Sequence, residues 1–318
     1  MILVLVEHDA GAIAGTSLQA LTFARGLGEP LHGMTFGEGG AAALETAGGY
    51  GMGTGTHVRT DGGYAPGGWA QAFADLVTTT ASDAVVAAGT DRGNELLAHL
   101  GAKMAVPFVA NCVEAGHDED GWNLTRQRWG GSLLEDARVR GPLALLSTAL
   151  HAVAAEAASE AADVAIDEVA PTLTPDDLRV RTTAFQGAAV DTVSLGDARL
   201  VIGGGRGVGS AEGFASLDAL AAALGGTVGV SRAVTSAGWR PHAQQIGQTG
   251  ERIAPDLYIA CGISGASQHM VGCRGAKKLL TINSDPDAPI LAKSDYAVIG
   301  DLHQVVPAIT AELERRRG

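Results

Sequence analysis

The chain has 318 residues, more than one typical domain and enough for two; 46% are hydrophobic but only 4% aromatic, so its core must be built from Ala, Val, Ile and Leu. A net charge of −13 excludes nucleic acid as the main partner, because a phosphate backbone requires a basic face. Cys112, Cys261 and Cys273 share no metal or redox spacing and fit buried thiols in a reducing compartment.

Short apolar runs alternate with helical patterns throughout, which predicts a parallel α/β fold in two domains. The first run, Ile2–Val6, has no basic leader or long apolar segment before it. No export signal, transit peptide or membrane span is therefore expected, and the expected location is cytoplasmic. Further strands are predicted at Leu31–Phe36, Ala84–Ala88 and Pro107–Val109, with helices at Ser17–Gly26, Trp69–Thr80 and Arg92–Met104. The pattern is strand-like again around Trp122–Arg128 and Leu143–Leu146. The acidic run His117–Asp120 is read as a solvated loop. From Ala152 to about Asp197 an Ala/Glu-rich run passes into a loosely patterned stretch with Pro171 and Pro175. This places a first domain over 1–190, a connection over about 165–197, and a second domain over 198–318.

In the second domain five buried parallel strands are predicted: Arg199–Ile202, Thr227–Val230, Leu257–Cys261, Leu279–Ile282 and Tyr296–Ile299. Phe214, Leu217, Ala221 and Leu224 fall on one helical face, with Ser210 as its N-cap. A last helix spans His303–Arg317, where three arginines complement the negative end of its dipole.

Ligands of an open parallel sheet bind beyond the carboxyl ends of its strands. Each predicted strand of the second domain ends in polar or glycine-rich residues. They are Gly203–Ser210, then Ser231-Arg232, then Gly262–His269, then Asn283, and last Gly300-Asp301. Glycines admit a ligand to the backbone, and a following helix N-terminus attracts anions, so Gly203–Ser210 and Ser264–His269 are candidate pyrophosphate cradles. With an Asp to meet ribose hydroxyls, the edge suggests a dinucleotide. The register Gly205–Ser210 departs from G-x-G-x-x-G at its final glycine, which counts against a nicotinamide site. The long polar loop Gly238–Gly250 precedes the third strand, and its Gln248 and Thr249 could reach heterocycle atoms. No nucleophile elbow, metalloprotease helix or clustered metal signature is present.

These segments, in this order and spacing over about 120 residues, resemble the FAD domain of electron-transfer flavoprotein α subunits. They are Gly204–Gly207, Gly229–Arg232, Ile246–Gly250, Gly262–His269, Ile282–Ile290 and Gly300–Leu302. The first half resembles the family's N-terminal domain more loosely, through its opening strand and Arg128–Gly131. The resemblance implies an N-terminal α/β domain of nucleotide-hydrolase type that contacts a β subunit, and a C-terminal doubly wound parallel-sheet FAD-binding domain. It implies an electron carrier without substrate turnover of its own, accepting from dehydrogenases and passing electrons to a membrane quinone oxidoreductase or other acceptor. The FAD contacts it implies are Arg206, Ser231, Arg232, Ile246, Gly247, Gln248, Thr249, Ser264, Gly265, Ala266, Ser267, Gln268, His269, Asn283, Asp301 and Leu302. Arg232 would lie over the isoalloxazine ring, Thr249 would reach N5, and His269 would approach the O2 side. Arg232, His269 and a helix N-terminus would all supply positive potential to an anionic, one-electron-reduced ring. The chain departs from the family at Gly203, where many relatives have Ser, and at Ser284, where many have Lys. A flavin- or nicotinamide-dependent oxidoreductase with its own small substrate is the alternative, and a non-redox nucleotide-binding module a third reading.

Overall fold

A computed structural model describes residues 1–60, 63–183 and 194–317. The chain divides into two compact units, Met1–Gln186 and Gly187–Gly318.

The first unit is built on a nine-stranded sheet. Its parallel strands are β1 (Ile2–Leu5), β4 (Leu31–Phe36), β5 (Met52–Val58), β6 (Ala84–Ala88), β10 (Ala144–Thr148) and β11 (Ala165–Val169). A small hairpin of β2 (His8–Asp9) and β3 (Ala12–Ile13) stands apart. β7 (Phe108–Asp118) runs parallel to β10, and β8 (Gly121–Arg128) and β9 (Leu133–Val139) extend it antiparallel. The order across the sheet is β11-β5-β4-β1-β6-β10-β7-β8-β9.

Helices α1 (Gly15–Arg25) and α2 (Gly40–Ala47) bury Leu21, Phe23 and Leu44 against one face of the sheet. Helices α3 (Pro66–Thr80) and α4 (Asp91–Met104) bury Phe73, Leu96, Leu97 and Leu100 against the other. Thr90 starts α4 by accepting the Gly93 N–H at 2.9 Å, a cap worth about 1 kcal/mol. The few aromatic residues concentrate here, with Phe36 and Trp69 stacked at 4.1 Å.

Two expectations are corrected in this unit. The strand expected at Pro107–Val109 is the eleven-residue β7, which begins at Phe108 and runs to Asp118; the acidic run His117–Asp120 is exposed, as expected, at the end of β7 and the turn into β8, where Asp118 accepts from Asn123 and Arg138. Residues 165–169, expected within the connection, form the edge strand β11 on β5. Residues 184–193 of that expected connection lie outside the described residues.

The second unit is a five-stranded, fully parallel sheet. Its strands are β12 (Leu200–Gly204), β13 (Thr227–Val230), β14 (Leu257–Cys261), β15 (Leu279–Asn283) and β16 (Tyr296–Ile299), in the order β13-β12-β14-β15-β16. Helices α5 (Ala215–Leu224), α6 (Arg232–Ser236) and α8 (Leu302–Arg317) cover one face through Leu217, Leu220, Val234 and Val306. Helix α7 (Ser267–Cys273), with Ile246, Ile253 and Ile290, covers the other. The doubly wound architecture is thus present, and the strand order reverses between β12 and β14.

Candidate functional site

The order reversal separates the loops that leave β12 and β14, and glycine lets their backbones touch. Gly205 N–H donates to the Cys261 carbonyl at 2.9 Å, and Gly207 N–H to the Gly262 carbonyl at 3.1 Å. A Cβ on Gly205 would lie 2.2 Å from the Gly262 oxygen, so no other residue fits without moving backbone. After this contact the first loop forms single 3₁₀ turns at Arg206–Val208 and Glu212–Phe214, and α5 begins only at Ala215. The first predicted cradle therefore does not open directly into an α-helix. Ser210 nevertheless accepts a bond from Gly213 N–H at 3.3 Å. The second cradle does open one: α7 follows at Ser267, with no side chain capping it.

Beside these loops lies a cavity of about 550 Å³, within the range of cofactor sites. Of the residues singled out from sequence, Arg206, Ser231, Arg232, Ile246 to Thr249, Ser264, Ala266, Gln268, His269 and Asn283 line it together. Gly265, Ser267, Asp301 and Leu302 do not. Gly265 has a φ of +86° and turns the loop tightly over Ile290. Ser267 is an exposed residue of the first turn of α7. The Asp301 carboxylate caps α8 by accepting the His303 N–H at 2.9 Å, and Leu302 is buried beneath Gly262.

The lining is cationic although the chain is strongly acidic. Neither Arg206 nor Arg232 forms an ion pair among the described residues, and both are exposed. Among the described residues Asp285 is the one carboxylate of the lining, and its Oδ1 accepts the Asp287 N–H at 2.9 Å. The side chain of Asn283 is consumed by the scaffold. Its Nδ2 donates to the Ile263 carbonyl at 2.9 Å and its Oδ1 accepts the Asp285 N–H at 3.1 Å.

The loop after β13 is held from below. Ile246 N–H donates to Val230 O at 2.8 Å and Gln248 N–H to Gln268 O at 2.8 Å. Gln245, not singled out from sequence, is buried and bridges the hydroxyls of Thr235 and Thr249 at 2.6 and 2.9 Å. Ala233, Ile263, Asp285 and Ala288 also line the cavity without having been expected. Their positions one to five residues from expected contacts were the available signal.

His269 is buried, and its Nε2 lies 2.8 Å from the hydroxyl of the fully buried Tyr258. Nδ1 is buried and completes no hydrogen bond, although the Ile246 carbonyl acts on the ring. Burial pushes the imidazole down to about 4. The ring is thus neutral near pH 7 in the flavin-free chain, where any positive potential it supplies comes from a ring N–H rather than from an imidazolium.

Two unpaired guanidinium groups, glycine-lined backbone and an uncapped helix start at the reversal of strand order define a binding domain for an anionic nucleotide cofactor. Residues 194–274 match the family model of the electron transfer flavoprotein FAD-binding domain, and residues 2–174 that of the electron transfer flavoprotein domain. The chain is 35% identical to an electron transfer flavoprotein subunit alpha of Mycobacterium leprae, covering 99% of each. It is 33% identical to the Bacillus subtilis subunit alpha, covering 79% of this chain and 77% of that one. Identity to the subunit alpha of Bradyrhizobium diazoefficiens is 32%, over 98% of each. The chain belongs to the electron transfer flavoprotein α-subunit family.

Proposed function

We propose that this chain carries FAD in the cavity beyond β12, β13 and β14 and serves as the α subunit of a heterodimeric electron carrier. The observation that carries the reading is the convergence of Arg206, Arg232, Thr249 and the uncapped start of α7 on one cavity. The cavity fits the cofactor in three respects: unpaired cations for phosphates or an electron-rich ring, glycines that admit a planar or phosphate group, and a buried His269 Nδ1 without a partner. When bound, the flavin supplies the one-electron chemistry.

The chain's residues bind and tune. The Arg232 guanidinium can stack on a planar ring and holds a fixed charge beside it, favouring the electron-rich form. Thr249, tied to Gln245, offers a hydroxyl at the ring's edge. His269 approaches from the other side as a neutral group. The first N–H groups of α7 and Arg206 are available to the diphosphate. Asn283 holds the Ile263 loop in place for that contact.

This reading includes a β subunit against the first unit, dehydrogenases as donors, and a membrane quinone oxidoreductase or other redox protein as acceptor. A cytoplasmic location accords with three free, buried thiols. No helix among the described residues is long and apolar enough to cross a membrane. The test is to release the flavin with acid from the purified heterodimer and separate it chromatographically. One FAD per cavity is expected; recovery of mainly FMN, or of no flavin, rejects the reading. Turnover of a small substrate without a partner dehydrogenase would reject the carrier role.

A further inference from the structure

We propose that Tyr258 is a positioning residue that fixes the proton of His269 on Nδ1, so that His269 presents a neutral N–H donor to an acceptor on the bound cofactor. The tautomer follows from the chain's own geometry. The identity of the acceptor rests on the flavin reading above.

Tyr258 stands on β14 with its side chain fully buried, and a buried phenol must place its proton. The hydroxyl lies 2.8 Å from His269 Nε2, and the described residues give it no second partner. On its other side is Gly203 of β12, which has no side chain to offer; a Cβ there would sit 2.2 Å from the hydroxyl oxygen. The bare glycine therefore makes room for the phenol.

Two assignments of the Tyr258–His269 bond are open to a neutral ring. If Nε2–H donated to the phenol oxygen, the phenol proton would have no acceptor and Nδ1 would be a buried lone pair without a donor. Two groups would be unsatisfied. If the phenol donates to Nε2, its proton is satisfied and only Nδ1–H remains without a partner. The second assignment leaves fewer buried groups unpaired. The one backbone group acting on the ring, the Ile246 carbonyl, is an acceptor and favours a ring N–H. With Nε2 turned to the phenol, that N–H is Nδ1. His269 itself belongs to the cavity lining, and its Nδ1 is buried without completing a hydrogen bond to the protein. A ligand acceptor whose electron density grows on reduction gains from such a donor without the cost of burying an imidazolium.

The experiment uses the full chain with its co-purified β subunit, labelled with ¹⁵N-histidine, with flavin bound and after flavin removal. A His269→Gln variant identifies the His269 resonances by their loss. The expected spectrum has Nδ1 in the protonated, pyrrole-type range and Nε2 in the unprotonated, pyridine-type range in both samples. Tyr258→Phe, which removes one oxygen from the same ring, should shift His269 toward the Nε2–H form. It should also lower the first-electron potential of the loaded protein. Wild-type His269 protonated at Nε2, or a Tyr258→Phe spectrum identical to the parent, overturns the proposal. Should Tyr258→Phe fail to fold, the wild-type spectrum alone decides. Flavin content is measured on the same samples. Absence of FAD with an Nδ1–H histidine removes the cofactor reading and leaves the tautomer standing, whereas FAD with an Nε2–H histidine removes the proposal alone.

Discussion

Gly272 of α7 and Gly247 of the loop beside it lie backbone against backbone: a methyl on Gly272 would fall 2.3 Å from Gly247 N and 2.5 Å from its Cα. Gly247 also has a φ of +144°, which a side chain rarely adopts. This contact sets the separation between the loop carrying Gln248 and Thr249 and the helix carrying His269. Gly272→Ala should cost roughly 1–3 kcal/mol by overpacking and release flavin. Urea titration and flavin-to-protein ratio check both; full flavin at parental stability would show that the two backbones are not in contact.

Arg232 is free to stack on a flavin. Arg232→Lys keeps the charge but loses the planar fork, and a partial effect is expected. Arg232→Ala should lower the first-electron potential and the yield of one-electron-reduced flavin during stepwise reduction. A contact of roughly 1–3 kcal/mol corresponds to about 40–130 mV in a one-electron couple. Flavin content should fall less than the potential. Spectroelectrochemical titration of both variants makes the comparison, and an unchanged yield in Arg232→Ala assigns the residue to the surface.

His269 makes the flavin-free chain acid-sensitive. Its folded value of about 4 lies below the 6.5 of an unfolded histidine, so the unfolded chain takes up the proton first. The associated stability is complete above pH 6.5 and is lost as pH falls from 6.5 through 4, amounting to about 3 kcal/mol at the acid end. Flavin-free His269→Gln should lose less stability than the parent between pH 7 and pH 4.5. Equal losses, measured by denaturant titration at the two pH values, would contradict the buried neutral ring.

Asp177 ties the segment after β11 to α4. Its buried carboxylate pairs with Lys103 and accepts from Thr174 N–H at 2.9 Å and Thr174 Oγ1 at 2.7 Å. Although burial alone would raise it, these bonds hold the carboxyl below its usual range, so its contribution is present near neutral pH and lost on acidification. Asp177→Ala should destabilise the chain by roughly 3 kcal/mol, readable as a lower urea midpoint at pH 7. A shift under a third of that would mean the pair is solvated.

The tip of the β8–β9 hairpin is apolar and exposed, with Trp129 at 80% and Leu134 at 67% of full accessibility. Such residues mark a partner surface. Trp129→Ala with Leu134→Ser should weaken β-subunit binding by roughly tenfold or more while leaving the fold intact. Titration of labelled β subunit checks this, and unchanged affinity places the interface elsewhere.

The second unit was readable because its five strands are short apolar runs ended by polar residues. Thr227–Val230, Leu257–Cys261 and Tyr296–Ile299 coincide with β13, β14 and β16, but β16, expected to be buried, is the sheet's edge strand and is exposed along its length. The strand β5 was missed because Met52–Val58 carries Gly53 and Gly55, which interrupt its apolar run. In the fold, Gly55 is bare because Leu44 of α2 presses on it; a Cβ would come within 2.9 Å of that side chain. β9 was missed because Leu133–Val139 is mostly exposed and has no clean alternation. In the site, motif spacing reached the loops but not what supports them. Gly203 meets Tyr258 across two neighbouring strands far apart in the chain, while Gln245 and Tyr258 bond residues four to eleven positions away across loops and turns, and none of these pairs shares a helix or strand whose period could mark it.

The pairing of β11 with β5 sets an order of events during synthesis. About a hundred residues separate the two strands, and until β11 leaves the ribosome, one edge of the nine-stranded sheet stays unpaired. At about 5–20 residues per second, that interval lasts roughly 5–20 s. During it the nascent chain offers a parallel-sheet edge to any neighbouring strand, including that of another nascent copy. A substitution that slows β11, or a truncation before Ala165, should therefore appear first as poor yield of soluble chain.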